Sequence, residues 1–248
     1  MKILEGVIYQ RKLPLVEPKL YGGQYAYRRS RGTEHHLTTI MDCVNRALLR
    51  KEGVYIISSD IAGAFDRVSH YQLTWALRRY GIDERTHRLI HNWLQGRKFC
   101  VKYRTPKGLT IGPATSMSAG LPQGGILSPL LWNMFFNDVP EQLDALRVQR
   151  GLPTAAHLDL VFADDMTTII THPEPSTLRH CARHKRTNVH TVMNRRHLQL
   201  QDPKTFNVPY DPQSLPHGIY RRRPPLTIKS TKTRLLHLGQ TLQDASGI

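Results

Sequence analysis

Apolar positions along the chain switch between a helical and a strand period, and the switches mark out its elements. Leu37, Ile40, Met41, Val44 and Leu48 fall on one face of a helix running to about residue 50, with Thr33 placed to cap it. Gly53 ends that helix, and the apolar run 54–61 reads as a buried strand whose far end delivers Asp60. Leu73, Ala76, Leu77 and Tyr80 mark a helix capped by Ser69 and stopped by Gly81. Asp83 caps another, with Leu89, Ile90, Trp93 and Leu94 inward. Residues 98–104 alternate apolar with mostly basic side chains, the pattern of a strand with one face in the core and one towards solvent or phosphate. Ser128 as cap and Pro129 at the first helical position open a helix carrying Leu130, Leu131, Met134 and Phe135. Leu178, Cys181, Ala182, Val189, Val192 and Met193 mark a long basic helix, whereas Pro14, Pro18, Gly22 and Gly23 predict a short helical or irregular entry and a loop.

The stretch 158–170 reads as two short apolar strands meeting at Asp164 and Asp165. Successive strand side chains point to opposite faces, so the two acids serve one site only if the backbone turns there, which predicts a tight hairpin with the acids at its tip. Adjacent carboxylates repel, and a divalent cation that neutralises them is one reason to place them together. Alone, such a pair is ordinary turn chemistry. Three other stretches change its weight. Asp60 closes an apolar strand where packing gains nothing from an acid, and small residues at 62–64 lead to the flat ring of Phe65. Asp66, next to Arg67, reads as a local ion pair or cap. Gly120, Pro122, Gly124 and Gly125 make a loop whose backbone a ligand can approach, with Gln123 offering donors and acceptors. Arg28, Arg29 and Arg31, following Tyr25 and Tyr27, can grip phosphates and stack on bases.

Charge gives these candidates a common partner. The 248-residue chain is 40% hydrophobic, long enough for a buried core, and carries 35 Lys plus Arg against 19 Asp plus Glu. The net charge of +16 points to a polyanion, nucleic acid first. No apolar run approaches the roughly 20 residues of a membrane span, so no membrane partner is expected, and residues 1–6 lack a signal-peptide pattern. Three scattered cysteines predict a reducing, intracellular compartment, and the 13 histidines, without paired cysteines, predict no zinc site.

In this order the motifs resemble the palm of reverse transcriptases. Residues 60–66, Asp-Ile-Ala-Gly-Ala-Phe-Asp, resemble the family's first catalytic motif; residues 120–129, Gly-Leu-Pro-Gln-Gly-Gly-Ile-Leu-Ser-Pro, resemble the template and nucleotide pocket. Phe162-Ala163-Asp164-Asp165 resembles the Tyr-Ala-Asp-Asp box with Phe for Tyr. Residues 24–28 are similar to the fingers segment Gln-x-Gly-Phe-Arg, with Ala26 where glycine is usual, and Lys204, Thr205, Leu238 and Gly239 sit where two later palm motifs belong. The wording is most similar to non-LTR (LINE-type) retrotransposons.

The resemblance implies an α+β palm: a central antiparallel sheet carrying Asp60 and the acidic hairpin, with helices on one face. It implies a partial fingers segment at 1–50 and the palm at 51–248, with no thumb, as in a fragment of a longer element. It implies RNA-directed DNA polymerisation with an RNA template, a DNA primer and dNTPs, in which Asp60 and Asp164, supported by Asp165, hold two Mg²⁺ roughly 4 Å apart. Phe65 would exclude a ribose 2′ hydroxyl, Pro122, Gln123 and Gly124 would line the nucleotide and template pocket, Arg28 would contact substrate, and Lys204 would protonate the departing pyrophosphate. A non-catalytic basic nucleic-acid-binding remnant and a group II intron-type maturase are the alternatives.

Overall fold

The computed structural model describes residues 2–106, 108–152, 156–201 and 206–210. In chain order the described helices are α1 (Lys2–Val16), α2 (Thr33–Leu49), α3 (His70–Arg79), α4 (Glu84–Leu94), α5 (Ser128–Phe136), α6 (Val139–Gln149) and α7 (Pro175–Arg195). The strands are β1 (Gly53–Ser59), β2 (Ile61–Ala62), β3 (Lys98–Phe99), β4 (Lys102–Thr105), β5 (Gly108–Ile111), β6 (Thr115–Ser116), β7 (Ala156–Phe162), β8 (Asp165–His172), β9 (Gln199–Leu200) and β10 (Phe206–Tyr210). They divide between two units, one holding residues 2–22, 61–144 and 189–201, the other residues 23–60, 145–188 and 206–210.

The second unit is built on an antiparallel sheet of order β10-β1-β8-β7, the sheet expected from the sequence. Its layering differs in one respect: helices cover both faces. Alternation along β1 sends Val54 and Ile56 with Ile169 and Leu160 against α2, where Ile40, Val44 and Ala47 meet them. Tyr55, Ile57 and Ile170 point the other way, onto Leu178, Cys181 and Ala182 of α7. The physical reason stands in the sequence, since β1 and β8 are apolar at consecutive positions, as in strands covered on both sides. Asp159 of β7 faces α7 from this sheet, and Lys185 meets it at 2.6 Å while Thr168 Oγ1 donates to its other oxygen at 2.5 Å.

In the first unit α5 is the centre. Apart from Ser128 and Asn133 it is apolar, and every residue but Pro129 is buried, with Trp132 stacked on Phe136 at 5.3 Å. Helices α1 and α3 pack on it. Ser69 and Asp83 cap α3 and α4 as their sequence positions predict, accepting from the backbone N–H of Gln72 and Thr86. Ser128 and Thr33 do not cap. Each is the first residue of its helix, and Ser128 Oγ donates to the Pro122 carbonyl at 2.7 Å. The start of α5 is capped instead from α1, by the buried Glu5 carboxylate, which accepts from Ile126 N at 2.8 Å and Leu127 N at 3.4 Å. Helix α4 is rotated from its expected stripe, burying Thr86, His87, Ile90 and Leu94 and leaving Leu89 exposed. The 98–104 segment has no core face; among its described neighbours from 95 to 119 no residue is buried. No described helix is long and apolar enough to cross a membrane.

Candidate active site

Strands β7 and β8 pair from Ala156 opposite Thr171 down to Phe162 opposite Asp165, leaving Ala163 and Asp164 as a two-residue turn. This is the tight hairpin the sequence predicts. Ala163 carries it with a φ of 59°, a left-handed conformation that costs a non-glycine residue about 1 kcal/mol. The turn takes Asp164 out of the strand alternation, so the two acids are not forced to opposite faces. On the other flank of β8, β1 pairs until Ser59 lies opposite Met166, and Asp60 follows one residue beyond. Asp60, Asp164 and Asp165 therefore gather at one end of one sheet, with Asp60 buried and the other two half-buried.

The segment 23–31 is docked beside them. Tyr25 N donates to the Val161 carbonyl and Val161 N to the Gly23 carbonyl, both at 2.8 Å, which adds the segment to the free edge of β7 in parallel. Ala26 stands where glycine is usual because the turn needs no positive φ there. The left-handed residue is its neighbour Tyr27, at 58°. Ala26 N donates to Gln24 Oε1 at 3.1 Å, and Arg28 and Arg31 donate to the Gln24 carbonyl at 3.4 and 3.2 Å. Burial raises the pKa of the Tyr27 phenol, and the negative charge of Asp164 adds to the rise.

Behind the turn sits a residue that the sequence patterns do not single out. His36 of α2 is 2% exposed, with its ring between Tyr25 at 5.4 Å and Phe162 at 5.9 Å. Neither ring nitrogen has a hydrogen-bond partner among the described residues, and burial lowers its pKa to about 4. It is a neutral imidazole wedged behind the residue that leads into the acidic turn. Its one signal in the sequence is helical spacing with Ile40, one turn on, inside an otherwise polar helix start.

The other predicted residues lie in the first unit. Phe65 is half-buried and stacks on Trp132 at 5.3 Å. The 120–125 loop is laced to the segment after Phe65: Leu121 N donates to the Phe65 carbonyl at 2.8 Å and Gly120 N to the Val68 carbonyl at 2.9 Å. Gly120 has a φ of 94°, and a Cβ there would stand 2.8 Å from the Asp66 carbonyl oxygen, so only glycine allows this approach. Gln123 is exposed and its amide donates to Asp66 Oδ1 at 3.3 Å, which places the polar head of the loop within reach of Phe65's neighbour. Arg67 donates to Gln199 rather than to Asp66. Pro122 accepts from Ser128, and the exposed Gly124 completes the turn with a φ of 78°. Lys204, Thr205, Leu238 and Gly239 lie outside the described residues.

Among the described residues, no three His, Cys, Asp or Glu side chains form a ready metal cage. Carboxylate oxygens are hard donors of the kind a divalent cation takes, and such an ion completes its shell with water. The three acids supply the hard oxygen donors such an ion prefers.

Comparison with known proteins meets this geometry. The family model described as "Reverse transcriptase (RNA-dependent DNA polymerase)" matches residues 1–236. An RNA-directed DNA polymerase from the mobile element jockey of Drosophila funebris is 31% identical over 173 residues, covering 68% of this chain and 18% of the relative. A probable RNA-directed DNA polymerase from the transposon X-element of Drosophila melanogaster is 28% identical over 167 residues, covering 66% of this chain and 17% of the relative. The chain thus spans under a fifth of these relatives' length. In fold, it is similar to Candida tropicalis telomerase solved in complex with a fragment of telomeric RNA, with a TM-score of 0.58 at 12% identity over 89% of this chain and 35% of the other. With its acidic hairpin at the end of an antiparallel sheet and a matching family model over nearly its whole length, this chain belongs to the reverse transcriptase (RNA-dependent DNA polymerase) family, in its LINE-type form.

Proposed function

We propose that this domain extends a DNA primer along an RNA template within a retroelement protein, adding deoxynucleotides at the sheet end that carries Asp60, Asp164 and Asp165. The observation that carries the reading is the convergence of these three residues, separated by about a hundred positions in sequence, on the β1/β8 end. Bound there, two Mg²⁺ would supply a lowered pKa at the primer 3′ hydroxyl and charge neutralisation at the triphosphate. The protein's part is to hold and exclude. Asp60 and Asp164 would hold the two ions through their carboxylate oxygens, with Asp165 in support. The 3′ hydroxyl would give its proton to water, its oxygen would bond to the α-phosphorus as the bond to the bridging oxygen breaks, and pyrophosphate would leave in line. Phe65, braced against Trp132, would be the wall that refuses a 2′ hydroxyl. Pro122, Gln123 and Gly124 would meet template and nucleotide, Arg28 would meet substrate phosphate, and Lys204 would donate the proton to pyrophosphate. An intracellular compartment accords with three unpaired cysteines.

The test is binding of a fluorescent dNTP to the chain with an annealed RNA–DNA template–primer. The reading expects binding that requires a divalent cation and is lost in Asp164→Asn. Binding that ignores both the cation and the substitution would leave only a charged nucleic-acid-binding remnant.

A further inference from the structure

Between Glu84 and Asp138 the sequence holds no acidic residue, yet it holds seven arginines and lysines. At the middle of this stretch stands a two-stranded ribbon, with β3 paired to β6 and β4 to β5. Phe99 lies opposite Thr115 and Lys102 opposite Ile111, so two residues on the outgoing strand face three on the return, a bulge closed by Gly112 N donating to the Val101 carbonyl at 2.8 Å. An uncovered two-stranded ribbon is marginally stable in water, and this one leaves Phe99, Val101, Tyr103, Leu109 and Ile111 between 48% and 66% exposed. Apolar side chains gathered in that way mark a surface awaiting a partner. Charge selects which. Lys102 and Arg104 pair across the ribbon with Ile111 and Leu109, while Phe99 and Tyr103 recur at alternate positions of the other parity. Within β4 the Tyr103 ring thus alternates with Lys102 and Arg104, Lys98 and Phe99 stand just before it, and no carboxylate lies anywhere along the ribbon.

We propose that the 98–116 ribbon is an accessory nucleic-acid site that takes single-stranded RNA, with bases stacked on Phe99 and Tyr103 and phosphates neutralised by Lys98, Lys102 and Arg104. A duplex hides its bases and would use the charge alone, whereas a single strand offers ring faces to both aromatics. The site needs neither metal nor nucleotide, and it lies in the unit that does not contain the carboxylate hairpin. It therefore stands or falls separately from the catalytic reading.

The test measures anisotropy of a short unstructured RNA, and of an RNA duplex, with the full chain in the absence of metal and dNTP. Phe99→Ala/Tyr103→Ala should weaken single-strand binding at least about tenfold while leaving duplex binding and the salt slope unchanged. Lys102→Ala/Arg104→Ala should lower the single-strand salt slope by about 1.4, at about 0.7 for each phosphate no longer neutralised. All four ribbon side chains are exposed, so the variants keep the fold, checked by circular dichroism. Unchanged single-strand affinity in the aromatic variant would overturn the proposal. So would a parent chain that self-associates in sedimentation and an aromatic variant that does not, with RNA binding intact in both, which would make the ribbon a protein interface.

Discussion

Replacing His36 with leucine tests the physical reading of the acidic hairpin's support. The ring is 2% exposed, packed between Tyr25 and Phe162, and both nitrogens lack partners among the described residues. Burial penalises the imidazolium, which places its pKa at about 4 against 6.5 in an open chain. Above pH 6.5 both folded and unfolded chains carry it neutral, and the folded state has its full stability. Between 6.5 and about 4 the unfolded chain binds a proton that the folded chain refuses, so stability falls by about 1.4 kcal/mol per pH unit, and by about 3 kcal/mol in all. Below that the folded form protonates too and the loss levels off. His36→Leu removes the titration. Any packing change it brings is independent of pH and cancels when two pH values are compared. Urea unfolding followed by circular dichroism at pH 7.5 and 5.0 should show the variant gaining about 2 kcal/mol on the parent between the two conditions. A stability difference that is the same at both pH values would refute a buried neutral imidazole at this position.

The remaining predictions concern the scaffold around the site. Lys185→Met strands the buried Asp159 carboxylate and should cost about 3–5 kcal/mol, while Lys185→Met with Asp159→Leu recovers most of it; a single-variant cost under about 1 kcal/mol would mean the pair is solvated. Gly120→Ala puts a methyl 2.8 Å from the Asp66 carbonyl at a φ of 94° and should cost about 2 kcal/mol or more, with faster amide exchange at 65–70; an unchanged melting temperature would deny the tight lacing of the pocket loop. Ala163→Gly should leave stability within about 1 kcal/mol, while Ala163→Val, β-branched at a φ of 59° and buried, should lose about 2 kcal/mol; equal stabilities would remove the left-handed turn.

What the sequence made legible follows from what its residues do locally. The acidic hairpin was readable because two apolar runs met at Asp164 and Asp165, and adjacent acids on a strand need a turn. The caps at Ser69 and Asp83 were readable for the same local reason. Ser128 was misleading because a cap can come from far away: Glu5, 123 residues upstream, accepts from the N–H groups of Ile126 and Leu127 just ahead of the helix, while Ser128 donates to the Pro122 carbonyl. The second covered face of the sheet was written in consecutive apolar positions at 54–57 and 169–170, and it shows once burial on both sides is weighed against alternation. Asp159 carried a quieter signal, a charge inside an apolar strand, but its partner Lys185 sits 26 residues on in a helix whose facing no local pattern fixes. The 98–104 alternation looked half-buried because periodicity reports two unlike faces, not what covers them.

Asp60, Asp164 and Asp165 are proposed to make this sheet end a polymerase site, and nucleotide incorporation decides the matter. The chain would be given an annealed RNA template and DNA primer, Mg²⁺ and dNTPs, beside Asp60→Ala and Asp164→Ala. Primer extension is expected from the parent chain and from neither variant, with template–primer binding unchanged in all three. Extension that survives either substitution would contradict that proposal, as would a parent chain that binds the template–primer and incorporates nothing.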